Sequence, residues 1–211
     1  MAAAQKDKKV WPKFPHLPVR TPTAVASFAH VHTPDDYMGQ SKFKITLVMP
    51  GDADLEPLET AAQKVGAICF PKLKAEKLNV LIKSGDDQND VLESKGKEPR
   101  PELAGKHVIV ASCSAAKDED GNFKYAPKIV GPDRKPLPKN MKVFSGDLVK
   151  AIIEPIPSET PSFGTITWRL IAVQLIEKRS GSGVDVDSMF DDEGEGFGSG
   201  GGGFDDETKS D

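Results

Sequence analysis

The chain has 211 residues, 37% hydrophobic and 28% charged, and its 19 Gly and 17 Pro interrupt regular structure about once in six positions, which argues against an all-helical bundle. No apolar run approaches the roughly 20 residues a membrane helix needs, and the charged N-terminus, residues 1–9, lacks the apolar stretch of a secretory signal. The two cysteines, Cys69 and Cys113, are too few for a disulfide scaffold, so a protein of the reducing cytoplasm with no membrane association is expected. Its net charge of −4 is unevenly spread: residues 180–211 hold ten acids against one base, a local −9, and leave the preceding body at +5. A basic body with an acidic tail suggests a polyanionic partner and a competitor for it within one chain; a merely solubilising tail is the alternative.

In chain order, residues 1–22 are rich in Lys and Pro and read as an extended arm, with Trp11 and Phe14 among four prolines. Residues 23–32 are small and β-prone, giving a first strand, and Thr33-Pro-Asp-Asp36 signals a turn. Residues 41–49 alternate, with Phe43, Ile45, Leu47 and Met49 on one face and Lys42, Lys44, Thr46 and Val48 on the other, so a strand with a basic outer face is expected. The stripe Leu55, Leu58, Ala62, Val65, Cys69 predicts a helix capped by Asp52 or Asp54 and stopped by Pro71. Residues 84–106 carry few apolar groups (Val91, Leu92, Leu103) and read as a long loop, which in a compact domain is functional or disordered. Strand signals return at His107–Ser114; Asp118–Asn122 makes a hairpin-type turn toward Phe123–Tyr125 and Lys128–Val130. Asp147–Glu154 and Gly164–Lys178 are the strongest strands and flank a Pro-rich loop at 155–163. Five or six strands with one helix predict a mainly β protein built as a small antiparallel barrel, a Greek-key sandwich being the alternative.

From Ser180 onward nine glycines and ten acids leave too little apolar surface to offset ordering entropy, so a disordered Gly-rich tail is expected. Within it Phe190-Asp191-Asp192-Glu193 recurs as Phe204-Asp205-Asp206-Glu207, with Phe197 midway between. Aromatics set among acids read as docking points for partners.

Catalytic chemistry finds little support. His30 and His32 share a strand face and could pair on a metal, but no Cys or carboxylate cluster accompanies them, and a polar strand face accounts better for both. Cys113 lies between Ser112 and Ser114 without a base and reads as a buried thiol; Gly198–Gly203 has no flanking strand and helix and is no phosphate loop. No enzyme activity, metal site or cofactor is expected. Nucleic-acid binding fares better, because single strands are held by basic grooves with aromatic platforms. Phe123-Lys124-Tyr125 followed by Lys128, and Trp168-Arg169, interleave the two residue types. The alternative makes Phe123, Tyr125 and Trp168 core residues, and for Trp168, in the most apolar strand, it is the better reading.

Phe144-Ser-Gly-Asp-Leu-Val-Lys-Ala151 followed by Gly164–Ile176, with Ala126–Leu137 before them and the strand-turn-strand-helix of 23–69, resembles the single-stranded DNA-binding proteins of T7-type podophages and the broader phage family with an oligonucleotide/oligosaccharide-binding (OB) barrel. The resemblance covers most of residues 20–178 and extends to the acidic tail. It implies an OB-fold domain over 23–179 that coats single-stranded DNA in phage replication, recombination and repair. It also implies a tail that competes with DNA and meets DNA polymerase and helicase-primase, and a possible homodimer, in the host cytoplasm. The expected phosphate contacts are Lys42, Lys44, Lys124, Lys128, Lys150 and Arg169, and the expected stacking residues are Tyr37, Phe123, Tyr125 and Phe163. The chain departs from the family in carrying only Phe163 in the 155–163 loop and in ending Thr-Lys-Ser-Asp211. A protein-interaction adaptor whose Phe-containing tail recruits partners is the competing reading.

Overall fold

The computed structural model describes residues 11–37, 39–158 and 164–179, with Tyr37 by its backbone alone. In chain order the elements are β1 (Val19–Arg20), β2 (Ala24–Tyr37), β3 (Gln40–Met49), α1 (Glu56–Cys69), β4 (Asn79–Val80), β5 (Lys83–Ser84), α2 (Gly85–Ser94), β6 (His107–Ser114), β7 (Lys128–Val130), β8 (Leu148–Pro157) and β9 (Thr165–Glu177). Five long strands close a circuit in the order β8-β2-β3-β6-β9 and back to β8. Within this circuit the ladders are antiparallel except where β6 meets β9, which pair in parallel at Ala111↔Trp168 and Ser112↔Arg169. The expected OB-type barrel is therefore present with five principal strands.

The alternation read in residues 41–49 is what closes this barrel. Phe43, Ile45, Leu47 and Met49 are almost wholly buried while Lys42 faces out and Lys44 and Thr46 are half-buried. Side chains of successive strand residues point to opposite faces, so a register slip of one residue would bury the lysines. Trp168 lies inside among these residues, and its indole N–H donates to the Leu81 carbonyl at 3.2 Å; the polar end of a buried indole is thereby satisfied. Helix α1 packs Leu58, Ala62, Val65 and Cys69 onto the barrel beside β8, β1 and β9. Pro57 stands in its first turn, where a missing N–H costs nothing. The Asp54 carboxylate accepts from the Glu56 N–H at 3.0 Å.

Two sequence expectations are corrected in detail. The turn read at Thr33-Pro-Asp-Asp36 is strand: β2 runs on to Tyr37, its register with β3 shifting between His30 and Asp35. Pro34 falls inside that irregularity, where no ladder bond is asked of its absent N–H. The stretch 84–106 is not a structureless loop but holds α2 and a 3₁₀ turn at Pro101–Leu103. Ser84 caps α2, its hydroxyl accepting from the Asp86 N–H at 3.2 Å, and Asp86 and Asp87 occupy the first turn, where negative charge complements the helix dipole. The described part of the arm is docked on the barrel. Trp11, Phe14 and Leu17 pack against the core, Trp11 meets Phe70 edge-on at 5.1 Å, and β1 pairs with β8.

Candidate nucleic-acid interface

The outer face of β2, β3 and β6 carries a groove of about 620 Å³, floored by Val25, Val48, Val108 and Val110. One wall is the segment between α2 and β6, which contributes Arg100, Glu102, Leu103 and Lys106; the other is the Ser145–Gly146 turn. In an OB barrel the face of the second and third barrel strands, here β3 and β6, is where oligonucleotides lie.

Phe28 is the unusual residue of this groove. Its φ of 47° places a bulky L-residue in the left-handed region, and it sits where the β2–β3 register breaks between Ser27 and His30. Such a conformation costs of order 1–3 kcal/mol and persists only where its surroundings enforce it. The consequence is that the ring is turned out of the strand and left 48% exposed over an apolar floor. The Arg100 guanidinium lies 5.1 Å from the ring centroid, within cation–π range.

Arg100 is positioned by α2. The Asn89 side chain clasps its backbone twice, donating to the Arg100 carbonyl at 3.0 Å and accepting from the Arg100 N–H at 2.8 Å. Leu103 anchors the same segment in a small cluster with Val48 and Val108. Gly85 permits this approach, since a Cβ there would stand 1.8 Å from the Leu103 carbonyl oxygen. Phe28, Arg100 and Lys106 were not among the expected contacts. The signal available for the wall was the Ser84 cap followed by two aspartates; for Phe28 it was one large aromatic in a run of small residues.

The expected contacts divide by location. On the outer face His30, Lys44, Ser112 and Arg169 line up in register across β2, β3, β6 and β9, with Lys42 opposite Ser114 toward the β2–β3 hairpin. Lys42 is exposed, whereas Lys44 is bonded to Asp35, a hydrogen bond that holds the Asp35 carboxyl below its usual range. Arg169 is bonded to Glu154, a carboxylate only 1% exposed that also accepts from the Leu17 N–H at 3.1 Å and the His16 Nδ1 at 2.9 Å. Its charge is matched within the fold before any ligand arrives. Tyr125, 57% exposed, borders a cleft with Arg169 and Cys113. Phe123 is half-buried and packs edge-on against core residue Phe43 at 5.1 Å, with the Lys117 ammonium over its ring. Lys124 is exposed and lines neither the groove nor this cleft. Lys128 and Lys150 lie on the far side of the barrel, on β7 and β8.

Tyr37 ends β2 at the hairpin, but its side chain lies outside the described residues, as do Phe163 and the tail positions Phe190, Asp191, Asp192, Glu193, Phe197, Phe204, Asp205, Asp206 and Glu207.

Two further polar groups serve the fold. The His32 Nε2 accepts from the Val143 N–H at 2.9 Å; burial, then Lys142 and Lys178, lower its pKa from the ordinary histidine value. The Cys113 thiol donates to the Tyr125 carbonyl at 3.0 Å, and burial pushes its pKa up to about 11. The described residues contain no group of three or more His, Cys, Asp or Glu arranged to hold a metal ion. No described helix is long and apolar enough to cross a membrane.

No family model and no curated protein matches the sequence. Solved structures do match. The single-stranded DNA-binding protein of bacteriophage Enc34, in complex with ssDNA, superposes with a TM-score of 0.55 at 21% identity, over 82% of this chain and 97% of that one. The gp2.5 single-stranded DNA-binding protein of bacteriophage T7 gives 0.57 at 14% identity, over 88% and 98%. The fold of this chain is thus the one found in phage single-stranded DNA-binding proteins.

Proposed function

We propose that the chain is a non-enzymatic single-stranded DNA-binding protein whose bases stack in the Phe28 groove. The observation that carries this is the ring of Phe28, held in a strained backbone conformation, half exposed, over an apolar floor and under the Arg100 guanidinium. A strand laid along β3 and β6 stacks a base on this ring beside the guanidinium, while Lys106 at one end and Lys42 at the other take phosphates. Stacking is worth about 1–3 kcal/mol per base and tolerates every sequence, because each base has a π-face. The likeness of fold to two phage proteins that bind single-stranded DNA supports the same ligand here.

The wider assignment belongs to the same proposal. The protein coats single strands during phage DNA replication, recombination and repair in the host cytoplasm, with homodimerisation as a further expectation. The −9 tail competes with DNA for the +5 body, and its Phe-Asp-Asp-Glu repeats recruit DNA polymerase and helicase-primase.

The test is fluorescence anisotropy on matched single-stranded and duplex oligonucleotides. Bases must be splayed to stack, so single strands bind much more tightly than duplex of equal length. Equal affinity for both forms refutes the proposal and leaves basic adhesion, with the adaptor reading in its place.

A further inference from the structure

Across the barrel from Phe28, the outer face of β8 and β9 holds a second groove of about 370 Å³. Its charged lining is Arg20, Lys128, Arg134 and Lys150, with no carboxylate among the lining residues. Strand register explains the convergence. Arg20 pairs with Ile152, Ile152 with Ala172 and Ala172 with Lys128, so two cations end one transverse row across β1, β8, β9 and β7. Three inter-strand steps of about 4.8 Å put their Cα atoms roughly 14 Å apart. The adjoining row pairs Lys150 with Gln174. Gln174 donates to the carbonyls of Gly131 and Pro132, tying down the turn that presents Arg134. Arg134 itself has a φ of 65°, a second strained non-glycine residue of the kind that clusters at binding sites.

The charges here are not neutralised by the fold. Lys44, Lys135, Arg169, Lys178 and Arg179 each pair with a carboxylate, whereas none of these four makes an ion pair among the described residues. We infer that this groove is a second nucleic-acid site, which takes the phosphodiester backbone and not the bases. No aromatic residue lines it, so nothing there stacks a base, while Ile152 (40% exposed) and Ala172 offer a smooth apolar floor for sugars. A peptide strand fits less well, because at these positions β8 and β9 are already paired on both sides and offer no open edge. The inference takes its ligand class from the function proposed above but concerns a separate site.

The experiment compares the full-length protein with the double variant Arg20→Gln/Arg134→Gln and with Phe28→Gly. The probes are a short oligothymidylate that spans one groove, a long one, and an inorganic polyphosphate chain, which has no bases. For the long strand the double variant flattens the log-affinity against log-salt slope by about 0.7 per lost contact, about 1.4 in all, with short-strand affinity and melting temperature unchanged. Polyphosphate binds the wild type and Phe28→Gly alike and is lost in the double variant. Polyphosphate affinity and long-strand slope that ignore the double substitution overturn the inference. Polyphosphate binding that depends on the arginines while the long strand ignores them overturns the assignment to nucleic acid. Short-strand affinity that ignores Phe28→Gly refutes the front-groove reading instead, and leaves the polyphosphate result to be judged alone.

Discussion

Replacing Phe28 with glycine separates stacking from both charge and stability. Three stability terms nearly cancel. The ring is about half buried, so its loss removes about 1 kcal/mol of a full aromatic burial worth 1.5–3. Relief of the left-handed strain at φ 47° returns about 1–2 kcal/mol. The added freedom of glycine in the unfolded chain costs about 0.5–1 kcal/mol. Net stability therefore stays within about 1 kcal/mol of the parent, whereas a core phenylalanine truncated this far would lose several. Binding has no such cancellation. Losing one base stack of about 1–3 kcal/mol raises Kd about 5- to 150-fold, and since no phosphate contact is removed the salt slope stays as it was. Anisotropy titrations of oligothymidylate at several salt concentrations, with urea unfolding of the same samples, read all three quantities. A Kd within twofold of the parent refutes the stacking role, and so does a changed salt slope with an unchanged extrapolated affinity.

Lys42→Gln flattens the single-strand salt slope by about 0.7 without altering thermal stability, its side chain being exposed with no ion pair among the described residues; an unchanged slope removes Lys42 from the path of the strand. Arg169→Ala strands the buried Glu154 carboxylate and lowers unfolding free energy by about 3 kcal/mol, the lower end for a broken buried pair because the arginine is 38% exposed; a loss of DNA affinity with no loss of stability would show instead that its charge serves the ligand. Truncation before Ser180 removes ten acids and one base. It tightens single-strand binding at low salt, the gap closing as the Debye length falls toward about 8 Å at physiological ionic strength; equal affinities at low salt exclude competition by the tail.

What was legible in the sequence was whatever a period of two or of 3.6 residues encodes. Residues 41–49 had to face one way because four apolar side chains alternate with polar ones, and α1 followed from its apolar stripe. Trp168 read correctly as buried because its strand is the most apolar in the chain, and Cys113 because no base accompanies it. The features that escaped have no such period. Helix α2 offers only Val91 and Leu92 as large apolar groups and is held by a cap, an Asn89 clasp and a glycine contact, none of which writes a stripe. Phe28 looked like one more strand residue, since a break in register depends on what the partner strand does. The lysines carried no record of which side of the barrel they would face. Lys150 and Arg169 sit on neighbouring strands, yet β9 borders β6 near Arg169 and β7 near Gln174, so the two cations join different surfaces.

The floor and the wall of the Phe28 groove differ in how they are secured. The floor belongs to barrel strands whose inner faces share one continuous core, while the wall from Gly85 to Lys106, braced within itself by the two Asn89 bonds, meets that floor through a cluster of three, Val48, Leu103 and Val108. Segments with so few buried apolar contacts open at free energies far below that of global unfolding. The wall is thus expected to open locally while the barrel stays folded, and faster hydrogen exchange of its amides than of the barrel strands would show it. On the stacking proposed for Phe28, the rate at which this wall opens, rather than the encounter of the strand with the floor, would then set how long a stacked base stays bound.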